Sequence, residues 1–376
     1  MRSQHAATAV LVAVAALVVA CSGSPDTPPT TSASTSTVAT SSSTSPSPTP
    51  TTSSMVTSSS SSSSSSSATS SSTTSRKPKP KPAPKDPLTG WKLSKNPVLV
   101  VKIDNTAAGF PQFGITAADI IYTEQVEGGL TRLIAVFHTD LPTEVGAVRS
   151  IRSTDMELLP SYGKPILVGS GGAPRWVRAL GDSSLVGVLN DAGAGGFWRS
   201  SFGDGTHNLH ANLQTIAKNH AGQGKARYMG FTFAGKDARL GKAPKVSTID
   251  VTMLAGSYQF SYTGGAYGKY LAQHAGSPYV DQHGRKVYVQ NVLVQHVRDV
   301  PDGQLDPIGN PSYLSRTVGS GTFTLYRNGR AISGTWSRKA ESDPTKFVDE
   351  KGKPVRLRVG RTWVLLAPQS SSVSQH

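Results

Sequence analysis

The sequence predicts an α/β N-terminal domain, a mixed sheet with helices, followed by a smaller β-rich domain, both behind a disordered tether. Three observations carry this. Short apolar runs rich in β-branched residues alternate with helix-like segments from Val98 to His220. After Arg239 the texture changes to short alternating runs, with Asn328-Gly329 and Lys351-Gly352 among the turn signals between them. From Ser22 to Ser75 the chain is almost entirely Ser, Thr and Pro, with an unbroken serine run from Ser58 to Ser67. The expected divisions are 1–20, a lipoprotein signal peptide; 21–85, the tether; 86–239, the first domain; 240–368, the second; and 369–376, a polar tail.

Arg2 and the apolar run Ala7–Ala20 read as a targeting segment, too short and Ala-rich for a membrane span. It ends Val18-Val19-Ala20-Cys21, small residues before a cysteine, as lipoprotein processing requires. Cys21 is the expected lipidation site, and two or more acyl chains anchor stably where one does not. It is the chain's single cysteine, so the exported part has no internal disulfide and no thiolate metal site. The expected location is the cell membrane, lipid-anchored on the extracytoplasmic face.

The tether lacks the apolar surface to offset its ordering entropy. Lys77-Pro78-Lys79-Pro80-Lys81-Pro82 closes it in an extended, proline-rich form. As a flexible coil it averages roughly 40–50 Å end to end. The formal charge is +15. Export argues against nucleic acid, which leaves an anionic wall polymer, a glycan or phospholipid headgroups as partners. A generally basic, solvated surface explains the charge equally well.

In order, Val98–Ile103 reads as a buried strand ended by Asp104-Asn105, and Thr116–Asp119 as a helical turn. Ile120–Val126 and Leu130–His138 form a hairpin signal around Gly128-Gly129. With those glycines as the whole loop, Gln125 faces Arg132, and Glu127 is its diagonal neighbour. Arg132 and His138 share parity. Arg152–Tyr162 reads as a helix capped by Ser153 or Thr154, with Asp155 and Glu157 in its first turn. Pro165–Val168 is a strand, Gly169-Ser170-Gly171-Gly172 a turn, and Pro174 opens a helix. Leu185–Leu189 is strand-like. Leu209–His220 looks helical, with His207 and Asn208 as its cap or as pocket lining. The second domain is expected to use Val246–Val251, Tyr258–Tyr262, Val287–Val297, Gly321–Tyr326, Ala331–Trp336, Val355–Val359 and Thr362–Leu366 as strands. Trp336 and Trp363 are read as core residues of these strands, with an exposed carbohydrate-stacking platform as the alternative.

The chain resembles the YerB-like family of bacterial lipoproteins. The resemblance rests on Asp86-Pro87-Leu88-Thr89-Gly90, Val101-Lys102-Ile103-Asp104-Asn105, Glu124 through Arg132, Val145 through Ser150 and His207-Asn208-Leu209. It continues through Gly319-Ser320-Gly321, Asn328-Gly329-Arg330, Gly334-Thr335-Trp336 and Gly360-Arg361-Thr362-Trp363. It implies a surface lipoprotein with an N-terminal domain of unassigned function and a smaller C-terminal partner domain. It implies no reaction.

Carboxylates near a histidine suit general acid–base work, which makes Asp104, Glu124, Glu127, His138 and His207 the catalytic candidates. Arg132, Arg149, Arg152, Asp155 and Asn208 are the ligand-binding candidates, since guanidinium forks capture phosphate or carboxylate. The alternative is an internal salt-bridge network pinning the hairpin to the next helix. The Gly169–Gly172 turn either presents N–H groups to a phosphate or is simply tight. His207 and His210 lack the further ligands a metal needs, so no metal and no cofactor is expected. Three functions remain: binding or scaffolding of an anionic or glycan envelope component through a polar pocket in the first domain, an envelope hydrolase of phosphoester or glycan bonds, and a protein-docking module.

Overall fold

The computed structural model describes residues 85–376 apart from 255, 266 and 267. The signal peptide, Cys21 and the tether through residue 84 lie outside the described residues.

The first half supplies β1 (Leu99–Asp104), β2 (Ile120–Gln125), β3 (Thr131–Phe137), the two-residue β4 (Val145–Gly146), α1 (Ser153–Leu158), β5 (Ile166–Gly169) and α2 (Pro174–Asp182). It continues with β6 (Val186–Leu189), β7 (Phe197–Arg199), β8 (Leu209–Ala211) and α3 (Leu213–Asn219). The second half is all strand: β9 (Thr248–Met253), β10 (Gly256–Tyr262), β11 (Tyr270–His274), β12 (Ser277–Pro278), β13 (Tyr288–Val289) and the long β14 (Asn291–Leu305). Then come β15 (Pro311–Arg316), β16 (Gly319–Arg327), β17 (Arg330–Arg338), β18 (Lys346–Asp349), β19 (Thr362–Pro368) and β20 (Ser372–Gln375).

One mixed sheet of eleven strands takes strands from both halves. Its order is β18-β17-β16-β14-β19-β2-β3-β1-β5-β6, with β15 paired to the free end of β14. The junction is β19, which runs parallel to both β14 and β2. Central strands are apolar on both faces because both faces are covered. One face, with Leu99, Val101, Ile103, Leu133, Trp363 and Leu365, packs on the β12-β11-β10-β9-β20 sheet and α3. The other, with Val100, Tyr122, Ile134, Val136, Phe323 and Trp336, packs under α1 and α2. Trp336 and Trp363 are core, and their indole N–H groups donate to His296 O and Thr123 Oγ1, both at 2.9 Å. Buried Asn105 also ties the halves together. It donates to Tyr258 Oη at 3.0 Å and accepts from Tyr279 Oη at 2.8 Å. Among the described residues no helix is long and apolar enough to cross a membrane.

Several local expectations are corrected. The Gly128-Gly129 hairpin has a longer loop: a 3-10 turn over Glu127–Gly129, closed by Val126 N–H donating to Leu130 O at 2.8 Å. Both glycines take positive φ, which glycine adopts without a Cβ clash. The register therefore places Glu124, not Gln125, opposite Arg132. The helix of Arg152–Tyr162 is α-helical only to Leu158 and then tightens to 3-10 around Pro160. Its first turn is closed by Asp155, whose Oδ2 accepts the Arg152 N–H at 2.7 Å, rather than by Ser153 or Thr154. Leu209–Ala211 is strand, and the helix after it is capped by Asn212, which accepts Thr215 N–H at 2.9 Å. Neither His207 nor Asn208 caps it. Val355–Val359 forms no regular strand, only a bridge from Leu357 to Phe233. Within the polar tail, β20 adds antiparallel to β9.

Candidate functional site

Asp104, Arg132 and Glu124 form a row across β1, β3 and β2, because Arg132 is directly opposite both carboxylates in the two registers. Directly opposite residues project to one face, here the face of Val100, Ile134 and Tyr122 that lies under α1. Lys102, two residues before Asp104, shares that face.

At the end of β1 the chain turns sharply, with Asp104 Oδ1 accepting Thr106 N–H at 2.9 Å. The segment after β4 runs back beside β1. Asp104 N–H donates to Ala147 O, and Arg149 N–H to Lys102 O, both at 2.9 Å. Val148 N–H donates to Leu209 O at 2.6 Å and so brings in the chain around His207. Three distant stretches thereby converge. Buried Asp104 Oδ2 accepts from Arg149 Nη1 at 2.7 Å and lies 2.6 Å from His207 Nδ1. Burial pushes the Asp104 carboxyl up, but Arg149, the turn N–H, His207 and Arg132 outweigh it and hold it below the usual carboxylate range.

Deeper under α1, Lys102 Nζ donates to Glu124 Oε1 and, at 2.9 Å, to Asp155 Oδ1; all three side chains are fully buried. Burial raises the Glu124 carboxyl above its ordinary value, more than the Lys102 cation lowers it, and Asp155 adds to the rise. Asp299 on β14 lies close enough for the Glu124 charge to act on it. Both Asp299 oxygens are buried without a hydrogen-bond partner. Ser315 is its cross-strand neighbour, but the Ser315 hydroxyl is also unpartnered.

Glu127 and Arg152 pair in a fork, Nε to Oε1 at 2.6 Å and Nη2 to Oε2 at 3.0 Å. The fork and neighbouring charge hold Glu127 below its ordinary value against the opposing effect of burial. This pair lines a hollow of about 170 Å³ together with Ser150, Trp176, Gln304 and Ser312, beside the arm formed by β14 and β15. The Trp176 Nε1 is buried and without a partner.

Arg132 sits among these groups as a buried guanidinium, 6% exposed. Burial depresses its pKa to about 9, helped by the like charges of Arg152 and Arg149 and opposed by Glu127 and Asp104. Its Nη1 has no hydrogen-bond partner.

The structure thus brings together Asp104, Arg149 and His207; Glu124 and Asp155, through Lys102; and Glu127 with Arg152. Arg132 feels the charges of Asp104, Glu127, Arg149 and Arg152. His138 stands apart, beyond the far end of β3, with its Nε2 3.0 Å from Asp86 Oδ2 but without the alignment of a hydrogen bond. Its backbone N–H donates to Asp119 Oδ2 at 2.7 Å. Asn208 accepts from Arg199 at 3.0 Å, away from Asp104. His207 and His210 have different partners, Asp104 and Glu144.

Lys102 and Asp299 are the residues that sequence reasoning missed. A lone lysine inside Val98–Ile103, in step with Asp104, was the available signal for the first. Nothing local marks the second, since its neighbours come from β15 and β2.

The Gly169–Gly172 turn is a packing device. A Cβ at Gly171 would lie 2.0 Å from Asp191 Oδ2, and one at Gly172 would lie 2.7 Å from Ile151 Cγ1. Gly171→Ala is expected to destabilise the fold by about 1–3 kcal/mol, read by chemical denaturation, because Asp191 must move.

The comparisons agree with this architecture. A family described as "Protein of unknown function (DUF3048) N-terminal domain" matches residues 88–227, and its "C-terminal domain" counterpart matches residues 249–364. The chain is 27% identical over 308 residues to "Putative lipoprotein YerB" of Bacillus subtilis (strain 168), covering 77% of this chain and 88% of that protein. A crystal structure of YerB protein from Bacillus subtilis superposes with a TM-score of 0.64 at 22% identity, over 77% of this chain and 99% of that one. At that identity the likeness speaks for the fold. With the two domains matched in order along most of its folded part, the chain belongs to the DUF3048 family.

Proposed function

We propose that the protein is a lipid-anchored envelope lipoprotein whose folded part binds an anionic group of an envelope polymer or glycan on the Arg132–Arg149–Arg152 face. The anchor rests on the Val18–Cys21 sequence and on similarity to a protein named as a lipoprotein. One observation carries the binding: Arg132 is a buried cation with an unpartnered Nη1 and two like-charged neighbours. Leaving a buried donor unsatisfied costs about 1–3 kcal/mol, more for a charged group. An incoming phosphate or carboxylate offsets that cost and separates the three cations. The adjoining hollow beside Arg152 and Trp176 has room for a small polar group, such as part of one sugar unit.

The test uses the full-length chain with two probes, a poly(glycerol phosphate) and a uronic-acid glycan. Arg132→Gln and Arg149→Gln are each expected to weaken binding at least about tenfold. The unfolding midpoint of Arg132→Gln should be unchanged or raised, since a strained charge is removed. Collapse of the fold in Arg132→Gln, with no probe bound by the wild type, assigns these charges to a structural network instead.

The Asp104–His207 contact favours one second reading, an envelope hydrolase. A buried carboxylate at Nδ1 orients an imidazole for proton transfer at Nε2. In that case His207→Gln abolishes turnover of the bound polymer while leaving its binding in place.

A further inference from the structure

We infer a second, separate anion site: a hollow of about 370 Å³ where the loop after β3 meets the turn before β13, built by Arg361, Arg285 and Lys286 to take a phosphate-type oxyanion. Its other polar lining comes from Thr116, Gln282 and Asp140. The residues come from four stretches of both halves, so no single sequence motif describes it.

Two of the three cations are anchored before any ligand arrives, Arg361 through its backbone and Arg285 through its side chain. The backbone of Arg361 is pinned by four bonds: its N–H donates to Gln290 Oε1 at 2.8 Å, and its carbonyl accepts the backbone N–H groups of Gln290 at 3.0 Å and Asn291 at 3.2 Å and the Asn291 Nδ2 at 3.3 Å. Gly360, at φ +137°, permits this bend; a Cβ there would meet Gln290 Oε1 at 2.3 Å. Arg285 is oriented by Asp281, Nε to Oδ2 at 2.6 Å. The same fully buried carboxylate accepts Thr116 Oγ1 at 2.7 Å, and Gly114 N–H donates to Gln282 Oε1 at 2.9 Å. The Asp281–Arg285 turn is therefore locked onto the 114–117 turn. Prepositioned donors lower the ordering cost of binding.

The site also carries an unmet demand. Arg361 Nε is buried without a hydrogen-bond partner. Burial depresses the Arg361 pKa and Arg285 adds to that, while the charges of Asp119 and Asp140 only partly counter it. Lys286 is exposed beside them. Arg285 is spoken for by Asp281, and Arg361 is the cation that gains most from a guest. The volume falls within the range of small-ligand sites. Its charged lining selects a compact oxyanion over an apolar molecule, and paired guanidinium groups fit the tetrahedral face of phosphate.

The test is titration of the full-length chain by calorimetry with two soluble probes. Inorganic phosphate stands for the free ion, and glycerophosphoglycerol stands for the phosphodiester of a lipid headgroup or polymer. Saturable binding of at least one probe is expected, weakened about tenfold or more by Arg361→Gln and less by Lys286→Gln. The probe that binds tighter identifies the source. Lys286→Glu reverses a charge at an exposed position, so it should also weaken binding and serves as the test if Arg361→Gln fails to fold. The inference is overturned if neither probe binds the wild type, or if Lys286→Glu leaves binding intact. It is equally overturned if Arg132→Gln abolishes phosphate binding and Arg361→Gln does not, because the anion then sits on the first face alone.

Discussion

Replacing Lys102 by methionine is expected to cost about 3–5 kcal/mol of folding stability. The substitution keeps most of the unbranched stem, one atom short of lysine, and removes its charge. Glu124 and Asp155 are then left fully buried and unpaired by any cation at contact distance. Asp155 also closes the first turn of α1 through the Arg152 N–H, so its repulsion from Glu124 disturbs the helix start as well as the sheet. The partner substitution sharpens the expectation. In Lys102→Met with Glu124→Gln, one stranded charge is gone, and part of the loss should return. Urea unfolding at pH 7 measures both. A loss below about 1 kcal/mol for the single variant means that water reaches these groups and that they are not a dry triad.

The second large effect has the opposite sign. Asp299→Asn is expected to stabilise the protein by about 2–3 kcal/mol at pH 7–8. Burial pushes the Asp299 carboxyl up to about 6, and the nearby Glu124 charge acts in the same direction against a weaker Ser315 contribution. A carboxyl whose folded pKa is raised holds its proton more tightly folded than unfolded. Its favourable contribution is complete below the unfolded value, about 4, and is lost as the pH rises through about 6. Above that, an ionised Asp299 burdens the fold, with both oxygens unpartnered. Asparagine resembles the protonated form, so its advantage should vanish below about pH 4 and be complete above about pH 6. Unfolding free energies across pH 3.5–8 decide this. A pH-independent difference, or none, means that the carboxylate is solvated after all.

The broad fold was legible in the sequence because its signals are local. Val98–Ile103, Ile120–Gln125 and Thr131–Phe137 are apolar enough to mark strands buried on both faces, and Pro174 marks a helix start. The Gly128-Gly129 loop shows the limit. Glycines mark a turn but do not count its residues, and one residue of slip changes the partner of Arg132 from Gln125 to Glu124. The strand within the tail was not legible for a related reason. Ser372–Gln375 is polar because it is an edge strand that needs only backbone partners on β9.

The candidate site was legible as a set of residue types and not as an arrangement. Asp104, Arg149 and His207 were each singled out, but only the pairing of β4 with β8 and the return of 147–149 beside β1 bring them within hydrogen-bond distance. Similar-looking His138 was placed elsewhere by the same strand that carries Arg132, because six residues of β-strand separate the two by roughly 20 Å. Lys102 was hidden in a strand motif, and Arg361 in a turn.

By itself the sequence determined composition, the lone cysteine, the strand-forming segments and the family. These depend on neighbours within a few residues. The tertiary structure alone decided that β19 joins the two halves in one sheet, which buried guanidinium groups keep an N–H without a partner, and which carboxylates share a buried lysine. Those are matters of long-range register and of dielectric, and both exist only once distant strands have closed around the charges.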